Sequence, residues 1–331
     1  VKKYELPMIS IIIPLLNEEK HIKKLLKSID DQTYPKEKIE LILVDGNSSD
    51  NTVKIINTEK QKRKYDILLL NNPKKLTPIS MNIGIKRAKG SYIVRLDAHA
   101  TYNKEYIYEG IIEMINNDSL ISVGGYWYTT PVFETKRSKV ISKIFNSYLG
   151  SGFSKYRMNK LNKAKNKIVD TVPYGIFRKE QLIKVNGYNE KLIRGQDIDL
   201  FYRLKKIFNG KIKILKNMKI YYKLKSTNAI ELYKRQFKQG IWLFNRKEGI
   251  LFRHYFPLLA GIIGLILFFI NLKIYIYVLL FYFFICSISY LIEIDNIIEI
   301  FLLPYALYSY FMNHLGFFLG VIKSFLKLLK K

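Results

Sequence analysis

A doubly wound α/β domain with a mostly parallel sheet, followed by helices that cross a membrane, is the fold class this sequence predicts. Three observations carry that expectation. Strand and helix patterns alternate over the first hundred residues at the spacing of βαβ units. Polar side chains collect where three of those strands end. From Tyr255 onward the chain is almost purely apolar and aromatic, in segments near the roughly 17–25 residues that a bilayer core requires of a helix.

The elements follow in order. Short apolar runs at 8–14, 40–45, 67–71 and 91–97 read as buried strands, and the runs between them, 19–30, 51–60 and 78–88, read as helices. Ser48-Ser49-Asp50 is a natural amino-terminal cap for the second of these helices. A helix over 106–116, a strand over 121–128 and two shorter helices at 180–185 and 197–207 complete the soluble part. The apolar remainder divides into 255–270, 274–292 and 297–322, separated by Asn271-Leu272-Lys273 and by Glu293-Ile294-Asp295-Asn296. The first break suits only a tight hairpin between two spans. The third segment contains Glu299, Pro304, Asn313 and His314, so it either spans or is re-entrant. The expected division is a large α/β domain over 1–230, a basic juxtamembrane segment over 231–254 and a membrane region over 255–331.

With 331 residues and 49% hydrophobic side chains, a large core is within reach. The formal charge of +28 favours a polyanionic partner: nucleic acid, anionic membrane or phosphorylated substrate. Cys286 is the single cysteine, which excludes a disulfide framework and suits a reducing compartment. The start, Val1 to Pro7, has no long apolar stretch, so no cleavable signal peptide is expected. Lys234, Arg235, Lys238, Arg246, Lys247 and Arg253 precede the apolar region and place the large domain on the cytoplasmic side. Lys323, Lys327, Lys330 and Lys331 favour the same side, which three full spans would deny them. The expected location is therefore the cytoplasmic membrane, multi-pass, with the large amino-terminal domain facing the cytoplasm.

Three strand ends carry the chemistry: Pro14-Leu15-Leu16-Asn17-Glu18, then Asp45-Gly46-Asn47-Ser48-Ser49-Asp50, then Arg95-Leu96-Asp97-Ala98-His99. Each alone is an ordinary βα turn. Together they set Glu18, Asp45, Asp97 and His99 along the edge of an open sheet where ligands bind. A carboxylate and an imidazole two residues apart can share a divalent cation, and a bound cation can hold a diphosphate. No Gly-x-Gly-x-x-Gly follows the first strand and no Walker-type loop occurs, so a metal is the natural holder of that diphosphate. Asp45 sits where a carboxylate can accept hydrogen bonds from a base or a ribose hydroxyl. Farther along, Arg194-Gly195-Gln196-Asp197-Ile198-Asp199 opens a helix. There a carboxylate serves either as a cap or as a general base.

These residues resemble glycosyltransferase family 2 with its GT-A nucleotide-sugar fold. The matching pieces are 9–18, 43–50, 95–99, Asn82-Ile83-Gly84, 172–178 and Gly187-Tyr188-Asn189-Glu190 leading into Gln196-Asp197. The Asp-Ala-His and Gln-Asp forms are most similar to the membrane-bound subgroup of exopolysaccharide glycosyltransferases, as are 253–257 and 314–320 in the tail. The resemblance implies that Pro14, Glu18 and Asp45 line a nucleotide pocket. It implies that Asp97 and His99 stand where the family has Asp-x-Asp and hold Mn²⁺ or Mg²⁺ against the diphosphate. Asp197 matches the aspartate that deprotonates the acceptor hydroxyl, and one base opposite the leaving group implies inversion. Gly46 follows Asp45 where the family commonly has a second Asp, and Gln196 replaces the usual Glu. Arg235-Gln236-Phe237-Lys238-Gln239-Gly240-Ile241-Trp242 only partly echoes the Gln-x-x-Arg-Trp signature of processive synthases, which favours addition of a single sugar.

The implied partners are a nucleoside diphosphate sugar as donor, a polyprenyl-linked saccharide as acceptor, and anionic membrane lipid. Two acid-free basic runs, 136–167 and 203–225, supply either a solvated face or a lipid-binding one. Nucleic acid is not expected. Two other functions stay open: a polyprenyl-phosphate glycosyl synthase, and a non-catalytic scaffold that binds saccharide or nucleotide. Gly125-Tyr126-Trp127-Tyr128 either stacks on a sugar ring or packs in the core.

Overall fold

The computed structural model describes residues 5–158, 164–243 and 252–329. Of the basic residues used above for orientation, Arg246, Lys247, Lys330 and Lys331 lie outside the described residues, as does the side chain of Arg253. The chain divides into two compact units, Val1–Trp127 with Lys160–Tyr222, and Tyr128–Asn159 with Lys223–Lys331.

The elements run β1 (Ile9–Leu15), α1 (Ile22–Asp30), β2 (Ile39–Asp45), α2 (Thr52–Lys60), β3 (Asp66–Asn71), α3 (Thr77–Arg87), β4 (Tyr92–Arg95), β5 (Ala100–Tyr102) and α4 (Tyr106–Asn116). They continue with β6 (Leu120–Pro131), α5 (Lys136–Asn146), β7 (Arg157–Met158), β8 (Lys167–Val169), β9 (Ile176–Arg178), α6 (Lys179–Lys184), α7 (Gln196–Phe208) and β10 (Lys211–Leu224). Among the described residues the chain then closes with α8 (Ala229–Ile241), α9 (Phe252–Ile270), α10 (Leu272–Leu291) and α11 (Leu303–Leu329).

The strands form one mixed sheet in the order β3-β2-β1-β4-β9-β6-β10-β5. β1 pairs in parallel with β2 and β4, β2 pairs in parallel with β3, and β9 lies antiparallel to β4. β1 and β2 are buried almost throughout, as expected of parallel strands covered on both faces, which read as near-continuous apolar runs. Their polar exceptions satisfy each other. Ser10 Oγ donates to Glu40 Oε2 at 2.6 Å, Gly90 N donates to Ser10 Oγ, and Lys89 N donates to Glu40 Oε2, both at 2.9 Å. Gly90 allows this approach, because a Cβ there would lie 2.5 Å from the carbonyl carbon of Ile9.

The order 3-2-1-4 means that chain progression reverses between β1 and β4. In open α/β sheets that switch leaves a crevice at the carboxyl ends of the strands. Glu18 follows β1, and Asp97 and His99 follow β4, so the two loops that flank the switch carry the polar residues.

The structure adds α5, α8 and the short strands β5, β7, β8 and β9 to the elements read from sequence, and it changes two further stretches. The strand expected over 121–128 runs from Leu120 to Pro131. The basic run 203–225 contains β10, whose Lys211, Lys216 and Lys223 are exposed while Ile212, Ile214, Met218, Ile220 and Leu224 are buried. The charge count masked a period of two.

In the second unit, α8 and α11 meet at backbone distance. A Cβ on Gly320 would lie 2.3 Å from Phe237 O, and one on Gly316 would lie 2.5 Å from Tyr233 O. The third apolar segment therefore builds a short 3₁₀ turn, Ile297–Leu302, and then α11, which buries Ala306, Tyr310, Asn313 and Val321. Among the described residues one helix, Leu272–Leu291, is long and apolar enough to cross a membrane, and Pro257–Ile270 is a shorter apolar helix.

Candidate active site

The loops after β1 and β2 are stitched together before any ligand enters. Asn17 N donates to Ser48 Oγ at 2.9 Å, Ser49 N to Asn17 Oδ1 at 2.8 Å, and Glu18 N to Thr52 Oγ1 at 2.8 Å. Asn17 and Asn47 both have positive φ, 54° and 62°, a conformation that asparagine tolerates best among residues with a side chain. Asp45 is buried, and both its oxygens accept from Ser48, from the backbone N at 2.9 Å and the hydroxyl at 2.5 Å. Pro14 stands in register with Val44, and Leu15 with Asp45.

Glu18, Asp97 and His99 come together. His99 Nδ1 lies 3.0 Å from Asp97 Oδ1 and 3.4 Å from Glu18 Oε1. Burial alone would lower the imidazole's pKa, but the two carboxylates outweigh it and push it up to about 10. Burial would likewise raise Asp97, yet His99 and Arg95 hold its carboxyl below the ordinary range. The Asp97 amide donates to Tyr102 Oη at 2.7 Å. Tyr102 makes an edge contact with Tyr174, Trp127 packs against Tyr174 and Tyr222, and Tyr222 meets the His99 ring edge-on at 5.2 Å. These rings form one wall of the cluster. Of the Gly125–Tyr128 stretch, Trp127 belongs to this wall, while Tyr126 is buried and its hydroxyl donates to Lys165 O at 2.7 Å.

The cluster offers carboxylate oxygens and one imidazole as candidate donors to a cation, the imidazole only in its neutral form. Among the described residues no three His, Cys, Asp or Glu side chains form a ready-made cation cage. Here the imidazole is turned onto the carboxylates, and Glu18 Oε2 is buried without a hydrogen-bond partner among the described residues. Carboxylate oxygens with one imidazole suit Mn²⁺ or Mg²⁺, which keep further positions for water and phosphate oxygen.

Asp197 lies with Arg95, the last residue of β4, in an ion pair. Its side chain stays one-third exposed, whereas that of Arg95 is buried. Gly195, with φ of 77°, precedes α7 and sets Asp197 in the helix's first turn. Asp199 is held differently: Arg203 Nε donates to its Oδ2 at 2.9 Å and Arg203 Nη1 to Val185 O at 2.6 Å. Two motifs far apart in sequence also meet, because Asn82 holds the 187–190 turn by hydrogen bonds in both directions. The sequence reading gave no role to Arg95, Tyr102, Tyr174 or Tyr222. For Arg95 the signal was present, as a charged residue inside an apolar strand.

Residues 10–185 match the model described as glycosyl transferase family 2. A dolichyl N-acetyl-α-D-glucosaminyl phosphate 3-β-D-2,3-diacetamido-2,3-dideoxy-β-D-glucuronosyltransferase of Methanococcus voltae is 28% identical over 96% of this chain and 98% of its own length. The succinoglycan biosynthesis protein ExoA of Rhizobium meliloti is 29% identical over 59% of this chain and 57% of its own. Among solved structures, S. aureus TarS 1-349 in complex with UDP-GlcNAc superposes with a TM-score of 0.50 at 15% identity, covering 97% of this chain and 92% of that one. GalNAc-T7 with UDP, GalNAc and Mn²⁺ gives 0.53 at 14% identity over 69% of this chain and 47% of that one. At such identities the structural likeness concerns the fold, a GT-A sheet followed here by carboxyl-terminal helices.

Proposed function

From the premise that the chain belongs to glycosyltransferase family 2, and so is a glycosyltransferase acting on nucleotide sugars, we propose an inverting, metal-dependent enzyme. It moves a sugar from a nucleoside diphosphate donor to a lipid-linked saccharide at the cytoplasmic face of the membrane. The carrying observation is that the end of β4 brings together two groups of acids: Glu18 and Asp97 with His99 in the loops after β1 and β4, and Asp197 paired with Arg95, the last residue of β4.

In this reading Pro14, Glu18 and Asp45 line the nucleotide, and Asp97 with His99 holds Mn²⁺ or Mg²⁺. The cation supplies charge compensation for the departing diphosphate. Asp197 accepts the proton of the acceptor hydroxyl. Its exposed side leaves room for that hydroxyl, and a single base implies one displacement with inversion. The buried Tyr102, Tyr174 and Tyr222 rings give that side of the site an apolar wall.

Membrane attachment is supported by α10. A core helix of a soluble protein passes the same test of length and composition, but such a helix is mostly buried, whereas α10 is 11% buried. Phe269, Ile270, Leu280, Phe281 and Phe284 are exposed along α9 and α10. The proposed division is catalysis in 1–230, a juxtamembrane segment in 231–254 and a multi-pass membrane region in 255–331, with the basic face drawn to anionic lipid. A saccharide acceptor is favoured over a bare polyprenyl phosphate by the Methanococcus relative, whose name places a dolichyl-phosphate-linked sugar as acceptor.

The test supplies labelled nucleotide sugars to membranes that contain the protein and follows label into the organic-extractable lipid. Incorporation that needs divalent metal and falls about 1,000-fold, to a measurable residual rate, in Asp197→Asn is the expected result. Incorporation that keeps most of its rate in Asp197→Asn would point to an acceptor already ionised, as in a polyprenyl-phosphate synthase. Nucleotide binding without turnover of any donor would point to the scaffold.

A further inference from the structure

We infer that Arg95 is a positioning residue for sugar transfer, holding the Asp197 carboxylate in place beside the donor site. The inference rests on Asp197 being the base, as proposed above. Arg95 closes β4, one register step beyond Val94 and opposite Ile12 of β1. It is 6% exposed in an otherwise apolar strand. A guanidinium is tolerated at such a depth only when it is paired. Its ion-pair partner is Asp197, 102 positions along the chain.

The two acids at the start of α7 have been given different partners. Asp199 is neutralised by Arg203 of its own helix, so a local arginine suffices where only neutralisation is needed. Asp197 is instead met by a side chain delivered from the strand whose end carries Asp97 and His99. One strand therefore sets the spacing between the donor-holding residues and the base. The guanidinium carbon lies 5.7 Å from the ring centres of both Tyr174 and Tyr188, and these two rings limit the orientations open to the fork. Tyr174 itself has φ of 49°, a strained conformation for an aromatic residue and one that persists where surrounding structure enforces it. Arg95 Nε is buried without a hydrogen-bond partner among the described residues. The fork meets Asp197 through Nη1, and Nε takes no part in that pair.

Because Arg95 is paired with Asp197 and only adds to the field at Asp97, which His99 chiefly holds, its loss should appear mainly in turnover and less in donor affinity. The experiment uses the full-length protein in membranes, with the nucleotide sugar that supports incorporation in the assay above. Arg95→Gln is expected to lower kcat about 100-fold while donor KM changes less than about threefold. Arg95→Lys, which keeps the charge but not the planar fork, should recover part of that loss. In an Asp197→Asn background, Arg95→Gln should cost nothing further, as for residues that act as a unit. A raised donor KM with kcat retained, or a full additional loss in the double variant, would overturn the inference by making Arg95 a donor ligand or an independent group. If Arg95→Gln fails to fold, Arg95→Lys decides: unchanged kcat in that variant overturns the inference. Full activity of Asp197→Asn alone is a separate result, which removes the base assignment itself.

Discussion

Asn82 and Tyr188 are joined by hydrogen bonds in both directions across 106 positions of sequence. Asn82 Nδ2 donates to Tyr188 O at 2.8 Å, and Tyr188 N donates to Asn82 Oδ1 at 2.7 Å. The same amide donates to Glu190 Oε1 at 2.9 Å. Gly187, with φ of 62°, lets the turn close on it, since a Cβ there would lie 2.4 Å from Asn82 Oδ1. One side chain on α3 thus anchors the turn that leads to Asp197. Asn82→Ala strands both backbone groups of Tyr188, a loss of about 2 kcal/mol. A lower melting temperature together with reduced transfer is expected. An unchanged melting curve would show that the turn holds itself.

Asp97 and His99 are expected to matter for chemistry more than for folding. Asp97→Ala and His99→Ala should each lower kcat/KM by about 100-fold or more, with membrane insertion retained and a lower melting temperature, because each leaves its charged partner unpaired. Chelation by EDTA should mimic them, and added Mn²⁺ should restore the parent protein but not the variants. Full activity of Asp97→Ala would remove the metal assignment.

The loop network predicts one acid-sensitive tie. Asp50 accepts from Thr52 N at 3.0 Å, Thr52 Oγ1 at 2.5 Å and Glu19 N at 3.1 Å. Partial burial works to raise its pKa, but these hydrogen bonds outweigh it and hold the carboxyl below its ordinary value. A carboxyl lowered on folding contributes stability above its unfolded pKa of about 3.9 and loses it as pH falls through the folded value. Asp50→Asn should therefore lower stability at neutral pH and flatten the fall in melting temperature below about pH 4. Parallel acid curves for the two proteins would contradict this.

The α8–α11 contact depends on glycine. Gly320→Val pushes a side chain into the Phe237 carbonyl, and overpacking of this kind costs about 1–3 kcal/mol. A Cβ on Gly264 of α9 meets nothing within 4 Å, so Gly264→Val is the matched control and should leave stability nearly unchanged. Thermal denaturation of the detergent-solubilised protein compares the two. Equal effects would mean that the helices separate readily.

Much of the fold was legible in local pattern because its cause is local. β1 and β2 announce themselves as unbroken apolar runs, since parallel strands are covered on both faces. Asp97 and His99 stand out because no turn requires both. β10 was read as a basic run, because its lysines alternate with buried residues and a charge count ignores period. Arg95 shows no role in sequence, because an arginine in a strand says only that something must neutralise it.

The sequence by itself determined the parallel strand ladder, the polar loops at its carboxyl edge and the apolar tail, all consequences of hydrophobic period and turn chemistry within a few residues. Tertiary structure alone decided which polar residues meet. Glu18 joins Asp97 and His99 because β1 and β4 are neighbours at the point where strand order reverses. Asp197 meets Arg95, while Asp199 turns back to Arg203 on its own helix. The physical reason is that ion pairs and hydrogen bonds act over a few ångströms of space and are blind to sequence separation. A pairing across a hundred residues leaves no periodic trace in the chain until the sheet has closed.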